Sequence, residues 1–232
     1  MRTSYIAFKA LGDEGPTVAG KLKTPLAPSG QVGAVLICHG SDGVDGRGSF
    51  HARSLNEAGL ATLEIDMWAA RGTARGAAAR PRSPLQTLGD AFGGLRALTA
   101  QPEVDAGRIG IMGFSWGGVV SLLSAVTRFA DPVAGDGPRF AAHCAHYPVC
   151  HAYRDPRMAL TGLTGAPLLI QTGDADTYDD PDAGERLTAE LQARGEAPVR
   201  GVTYEGATHG FDRDLPEQVI NDPFAHNGAG EP

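Results

Sequence analysis

The sequence has little cysteine, no surplus of positive charge and no long apolar run. Three cysteines, Cys38, Cys144 and Cys150, are too few and odd in number for a disulfide framework. Against 27 acidic residues stand only 20 Lys and Arg, a formal net charge of -7. With no basic surplus to neutralise phosphates, a nucleic-acid or anionic-membrane partner is not expected. No stretch approaches the ~20 apolar residues of a membrane-spanning helix, and the start "MRTSYIAFKA" lacks the apolar centre of an export signal. A cytoplasmic protein in a reducing compartment is expected. Internal repeats and charged tails are absent as well.

What is present is the composition of a globular domain, 42% hydrophobic and 20% charged. "TVAGKLKTP" reads as a half-exposed antiparallel strand. "VGAVLICHG" and "LATLEID" are nearly continuous apolar runs, as in parallel strands covered on both faces. The pattern continues through "RIGIMGF", "FAAHCAHYP", "APLLIQTG" and "VRGVTYEG". Between the runs lie the helix-like segments "SFHARSLNEAG", "PLQTLGDAFGGLRALTAQ", "WGGVVSLLSAVTRFA" and "DAGERLTAELQARG". This alternation predicts an α/β fold, a mostly parallel, doubly wound sheet with helices on both faces and ligands gathered at the C-terminal strand ends. One domain over residues 1–232 is expected, irregular from about 216 onward, without a large cap. "MWAARGTARGAAARPRSP" and "DPVAGDGPR" break the rhythm and read as surface loops, the first placed to overhang a site.

"GFSWGG", Gly113 to Gly118, falls where a strand hands over to a helix. A nucleophile elbow needs this context: a strained turn, with small residues two before and two after the nucleophile so that neighbouring backbone can approach. Gly113 and Gly117 occupy those places around Ser115. In a chain with 32 glycines such a string also arises by chance, so the flanking strand and helix carry the assignment.

A serine hydroxyl needs a base, and the base needs an orienting acid. Elbow enzymes order these residues Ser, acid, His along the chain. His209, in the loop after the last strand, is the candidate base; His226 lies in a glycine-rich tail, and the other histidines precede the acidic loop. That loop, "GDADTYDD", offers Asp174, Asp176, Asp179 and Asp180, and composition does not choose among them. The expected oxyanion donors are the backbone N–H of Trp116, next after the nucleophile, and that of Ser41 in the loop after "AVLICHG". This loop lacks a phosphate-binding pattern, so no nucleotide cofactor is expected. "HCAHYPVCH" is dense in His143, Cys144, His146, Cys150 and His151 but has no standard metal spacing; no metal is expected, and its far end is read as one wall of the pocket.

In these blocks the chain resembles the dienelactone hydrolase family of the α/β-hydrolase superfamily: "LICHGSDG", "RIGIMGFSWGG", "LLIQTGDADTYDDP" and "YEGATHGFD" occur in the family's order, over roughly residues 15 to 215. The resemblance implies Asp176 as the catalytic acid, with Ser115 and His209. Two departures accompany it. The hydrolases that name the family use a cysteine nucleophile where this chain has Ser115, so a general carboxylesterase acting on small esters is the expectation rather than a dienelactone-specific enzyme. Relatives also continue into a closing helix, whereas this sequence reads "DPFAHNGAGEP". The expectation is an uncovered apolar strip, to be covered by another segment or by a second subunit in a homo-oligomer. His39, Trp68, Arg71, Cys150 and His151 are expected to line the substrate pocket, and Arg71, Arg75, Arg80 and Arg82 are candidates to meet a carboxylate on the substrate. The alternatives are thioester or peptide-bond hydrolysis by the same machinery, and an inactive relative that binds a small ligand.

Overall fold

Each apolar run of the sequence becomes a strand of one sheet. The computed structural model describes all residues except 13–14, 27–28, 73–79, 217, 222–224, 226–229 and 232. The strands are β1 (Arg2–Lys9), β2 (Thr17–Thr24), β3 (Val32–Cys38), β4 (Ala61–Asp66), β5 (Val104–Phe114), β6 (Ala142–His146), β7 (Leu168–Gly173) and β8 (Val199–Tyr204). They lie in the order β1-β2-β4-β3-β5-β6-β7-β8. From β4 to β8 every pair is parallel; β2 runs antiparallel to both β1 and β4. This is the α/β-hydrolase architecture, with no large cap among the described residues.

The helices are α1 (Gly46–Glu57), α2 (Leu88–Thr99), α3 (Trp116–Ser124), α4 (Thr127–Ala134) and α5 (Ala183–Arg194). In α2, Leu88, Ala91, Phe92, Leu95 and Leu98 recur at helical spacing and all are buried. With residues of α3, α4 and α5 they join Leu36, Ile111, Ala145, Leu168 and Ile170 in the larger core. Strand alternation turns Ile37 and Met112 to the other face, where Ala52 and Leu55 of α1 meet them, with Phe114 and Tyr147. On this second face α1 is the one helix among the described residues, packed against β3 and β4.

The structure differs from the sequence reading in four places. β1 is a strand that the reading passed over, although Ser4, Ile6 and Phe8 alternate toward the protein. The single helix expected from Trp116 is two, because Val126 is extended (φ -110°, ψ 121°) and the chain there is stitched sideways: Thr127 N–H donates to Gly162 O (2.8 Å) and Thr164 N–H to Ala125 O (2.8 Å). Asp131–Ala134, read as loop, finish α4, with Pro132 inside the helix at the cost of the N–H bond that Arg128 O would otherwise accept. Beyond β8, where the sequence reading expects irregular chain from about 216 onward, Ile220–Asn221 pairs antiparallel with Gly230–Glu231; the closing helix of relatives does not occur among the described residues.

Candidate active site

The turn from β5 into α3 is built by close backbone contact. A Cβ on Gly113 would lie 2.2 Å from the backbone of Gly117, and one on Gly117 would lie 2.2 Å from Cys38 O at the end of β3. Side chains are excluded at both positions, which explains the two glycines flanking the serine. Between them Ser115 has φ 49° and ψ -108°, a conformation that costs a non-glycine residue about 1–3 kcal/mol. Ser115 N–H donates to His146 O (3.0 Å), anchoring the turn to β6, and Ser115 O accepts the N–H of Val119 (2.9 Å), starting the helix.

The Ser115 hydroxyl lies 2.9 Å from His209 Nε2, and His209 Nδ1 lies 3.0 Å from Asp176 Oδ2. Asp176 is 3% exposed. Its other oxygen accepts the Tyr178 N–H (3.0 Å), so the carboxylate is held at both ends. The Tyr178 ring stacks on the imidazole (centroids 4.5 Å, 19° between planes), and Tyr147 meets it edge-on at 4.9 Å. Two aromatic rings thus fix the plane of His209, and neither was picked out in the sequence; Tyr178, two residues after Asp176, had a local signal, and Tyr147 had none.

The three rival aspartates are occupied elsewhere. Asp174 accepts the Gly206 N–H (2.6 Å). Asp179 accepts the backbone N–H groups of Cys150 and His151 and bonds His151 Nδ1 (2.8 Å). Asp180 pairs with Arg154 (2.6 Å) and Arg186 (2.5 Å). All three cysteines are free, and burial pushes their thiols up, that of Cys144 to about 11. A thiol kept protonated is a poor nucleophile.

Ser41 is held by two contacts: its carbonyl accepts from Trp68 Nε1 (2.9 Å) and its hydroxyl from Arg80 Nη1 (2.8 Å). Trp116, first residue of α3, has no carbonyl a turn earlier in the helix to take its N–H. Its indole donates to Thr87 Oγ1 (3.0 Å) and packs edge-on against Trp68.

These groups open into a cleft of about 740 Å³, lined by Ser41, Ser115 and His209 together with Arg47, Phe50, His51, His146, Gln171, Tyr178, Tyr204, Phe211, Asp212 and Arg213. The five residues expected to line a pocket are not among its lining. His39 is buried with both ring nitrogens used, Nδ1 donating to Gly40 O (2.7 Å) and Nε2 accepting from Met67 N–H (2.9 Å), and burial lowers its pKa. Trp68 lies behind Ser41 and positions it. Arg71 forks onto Asp90 of α2 (2.6 and 3.0 Å) and bonds Met67 O (2.7 Å), so it ties a loop to a helix rather than facing a substrate. Cys150 and His151 are drawn away by Asp179. Arg75 lies outside the described residues, as does His226; Arg82 is exposed, and Arg80 stands over the Trp116 ring at 5.7 Å.

The far wall of the cleft carries a second polar group. Arg47, 4% exposed, is bound by Asp45 and donates to Tyr147 Oη (3.2 Å); Tyr147 in turn donates to Asp212 Oδ1. Asp212 Oδ2 lies 2.7 Å from His51 Nε2 and 3.7 Å from His146 Nδ1. Burial pushes the Asp212 carboxyl up, but the bonds from His51 and Tyr147 outweigh it and hold the group below its ordinary value.

The family model for the dienelactone hydrolase family matches residues 18–229. Among solved structures, esterase 2 of Thermogutta terrifontis phosphorylated by paraoxon superposes with a TM-score of 0.68 at 18% identity, over 90% of this chain and 84% of that one. The dienelactone hydrolase-like promiscuous phosphotriesterase P91 from metagenomic libraries gives 0.67 at 19% identity, over 98% and 88%. Est1E of Butyrivibrio proteoclasticus gives 0.63 at 18%, over 90% and 92%. At these identities the likeness is one of fold. Among the described residues no helix is long and apolar enough to cross a membrane.

Proposed function

We propose that this chain, which belongs to the dienelactone hydrolase family, is a serine hydrolase of carboxylic esters working through an acyl-enzyme intermediate. The observation that carries the reading is the continuous line from Ser115 Oγ through His209 to Asp176, at 2.9 and 3.0 Å, beginning at a strained turn. In this reading His209 Nε2 removes the Ser115 proton as Oγ attacks the ester carbonyl. Asp176 holds the ring with Nδ1–H toward it and stabilises the imidazolium that forms. The N–H groups of Trp116 and Ser41 receive the oxyanion, each contributing about 10²–10³ in rate. His209 then returns its proton to the leaving alcohol, and a water deprotonated by the same nitrogen releases the acid. The eight-stranded sheet is read as one domain carrying the whole machinery, acting on a small-molecule ester.

Two neighbours in the fold support this direction without defining it: one is an esterase found phosphorylated by paraoxon, the other a phosphotriesterase, and both activities concern esters. Short p-nitrophenyl esters test the reading. The wild type turns them over, and Ser115→Ala does not; equal turnover by the two proteins rejects the mechanism. The inactive-relative reading predicts instead that a fluorophosphonate probe leaves the wild type unlabelled.

A further inference from the structure

We infer that His51, His146 and Asp212 form a site for one divalent transition-metal ion of the zinc class in the wall of the cleft. The three residues come from α1, the end of β6 and the loop after His209, and their ligand atoms lie within 4.8 Å of one another. Among the described residues this is the one group of histidine, cysteine and acidic side chains so placed.

The second observation is His146 itself. It is 3% exposed, and its Nδ1 has no hydrogen-bond partner although it faces Asp212 Oδ2 at 3.7 Å. That distance is too long for a hydrogen bond, and a buried polar atom without a partner is costly. A cation would satisfy it. The opposite ring nitrogen, Nε2, lies 3.1 Å from the Gln171 side-chain amide. With that amide turned so that its carbonyl accepts Nε2–H and its NH₂ donates to Tyr204 Oη, in place of the Oε1 that accepts from Tyr204 (2.6 Å), the Nδ1 lone pair points at the site, the arrangement common for metal-bound histidine.

The geometry requires each ligand pair to adjust, the two imidazole nitrogens, which lie within 4.8 Å of each other, closing by up to about 1.5 Å. Ligand atoms on a tetrahedral zinc with bonds of ~2.0–2.1 Å stand roughly 3.3 Å apart. The His51 Nε2 to Asp212 Oδ2 contact of 2.7 Å widens, and the His146 Nδ1 to Asp212 Oδ2 separation of 3.7 Å closes, each by about half an ångström. The cation takes the place of the proton between His51 and Asp212, which moves to His51 Nδ1 or to solvent. Asp212 Oδ1 remains bound to Tyr147, itself held by Arg47, so the carboxylate is oriented from behind. Three protein ligands leave a fourth position open to the cleft, where water or an anionic group of a substrate completes the shell. Two imidazoles and one carboxylate suit zinc or cobalt better than calcium or magnesium.

The site does not depend on the hydrolase reading, and its test reads binding directly. Chelator-treated full-length protein is titrated with Zn²⁺ by calorimetry and with Co²⁺ by visible absorption. The wild type is expected to take up one equivalent per chain, with the spectrum of a low-coordinate cobalt site. His146→Gln and Asp212→Asn, checked for folding by circular dichroism, should bind at least tenfold more weakly, while His209→Gln keeps the stoichiometry. No uptake of either metal by the folded wild type overturns the inference, as does a site that survives His146→Gln and disappears in His209→Gln.

Discussion

Three carboxylate–imidazole pairs lie at the C-terminal end of the sheet, and they serve different ends. Asp176 meets His209 at 3.0 Å, Asp212 meets His51 at 2.7 Å, and Asp179 meets His151 at 2.8 Å. Neither distance nor burial separates them: the carboxylates are all largely buried. What differs is the far side of each histidine. His209 presents Nε2 to a serine hydroxyl at 2.9 Å. His51 faces a second imidazole across Asp212. His151 lies outside the cleft lining, with its carboxylate also taking three backbone N–H groups. A carboxylate orients an imidazole; the group beyond the imidazole decides its use.

The largest expected effect breaks the first pair. Asp176→Asn should lower kcat on p-nitrophenyl esters by about 10⁴-fold by stabilising the wrong ring tautomer, as loss of the orienting acid does in other serine hydrolases. Asp179→Asn, measured in the same assay, should leave kcat within threefold. If the two variants lose activity equally, the distinction between the pairs fails. Next in size is Gly117→Ala, whose new Cβ meets Cys38 O at 2.2 Å; overpacking of this kind costs about 3 kcal/mol or more, read as a fall in the urea midpoint. An unchanged midpoint would show that the elbow is looser than its contacts imply. Asp179→Asn has its own smaller stability cost, about 1–3 kcal/mol, since it weakens acceptance of four N–H groups in a buried place.

The last effect is a slope with pH, at a histidine away from these three pairs. His143 is 3% exposed, and its ring Nδ1 lies 3.1 Å from both Ser121 O and Ser124 Oγ. Desolvation lowers its pKa from 6.5 to about 4. Between those values the unfolded chain takes up a proton that the native state refuses, so stability falls as pH drops from about 6.5 toward 4, and this contribution is fully present above 6.5. Relative to His143→Gln, the wild type should lose about 1.4 kcal/mol per pH unit across that window in urea unfolding. A constant difference between the two proteins would show that burial does not govern this ring.

Much of the fold was legible because its signals are local. The apolar runs of β3 to β7 report a sheet buried on both faces, and Gly113 reports its near neighbour Gly117, whereas Gly117 itself answers to Cys38 O on β3. The choice of Asp176 was not local: all four aspartates look alike in the loop, and the family resemblance selected one that the structure brings against His209 while Gly206, His151, Arg154 and Arg186 engage the others. The pocket reading failed at His39, Trp68, Arg71, Cys150 and His151 for one reason. Each has its polar groups taken by a partner that sequence order does not reveal, as Arg71 is taken by Asp90 on another helix.

The sequence alone determined an alternating α/β chain with an elbow serine, because hydrophobic period and glycine spacing act over a few residues. Only the tertiary structure decided which side chains face the cleft. Tyr178, His51, His146 and Asp212 come from separate elements, and it is the order and parallel packing of the strands that bring their ends, and hence these groups, within a few ångströms of one another.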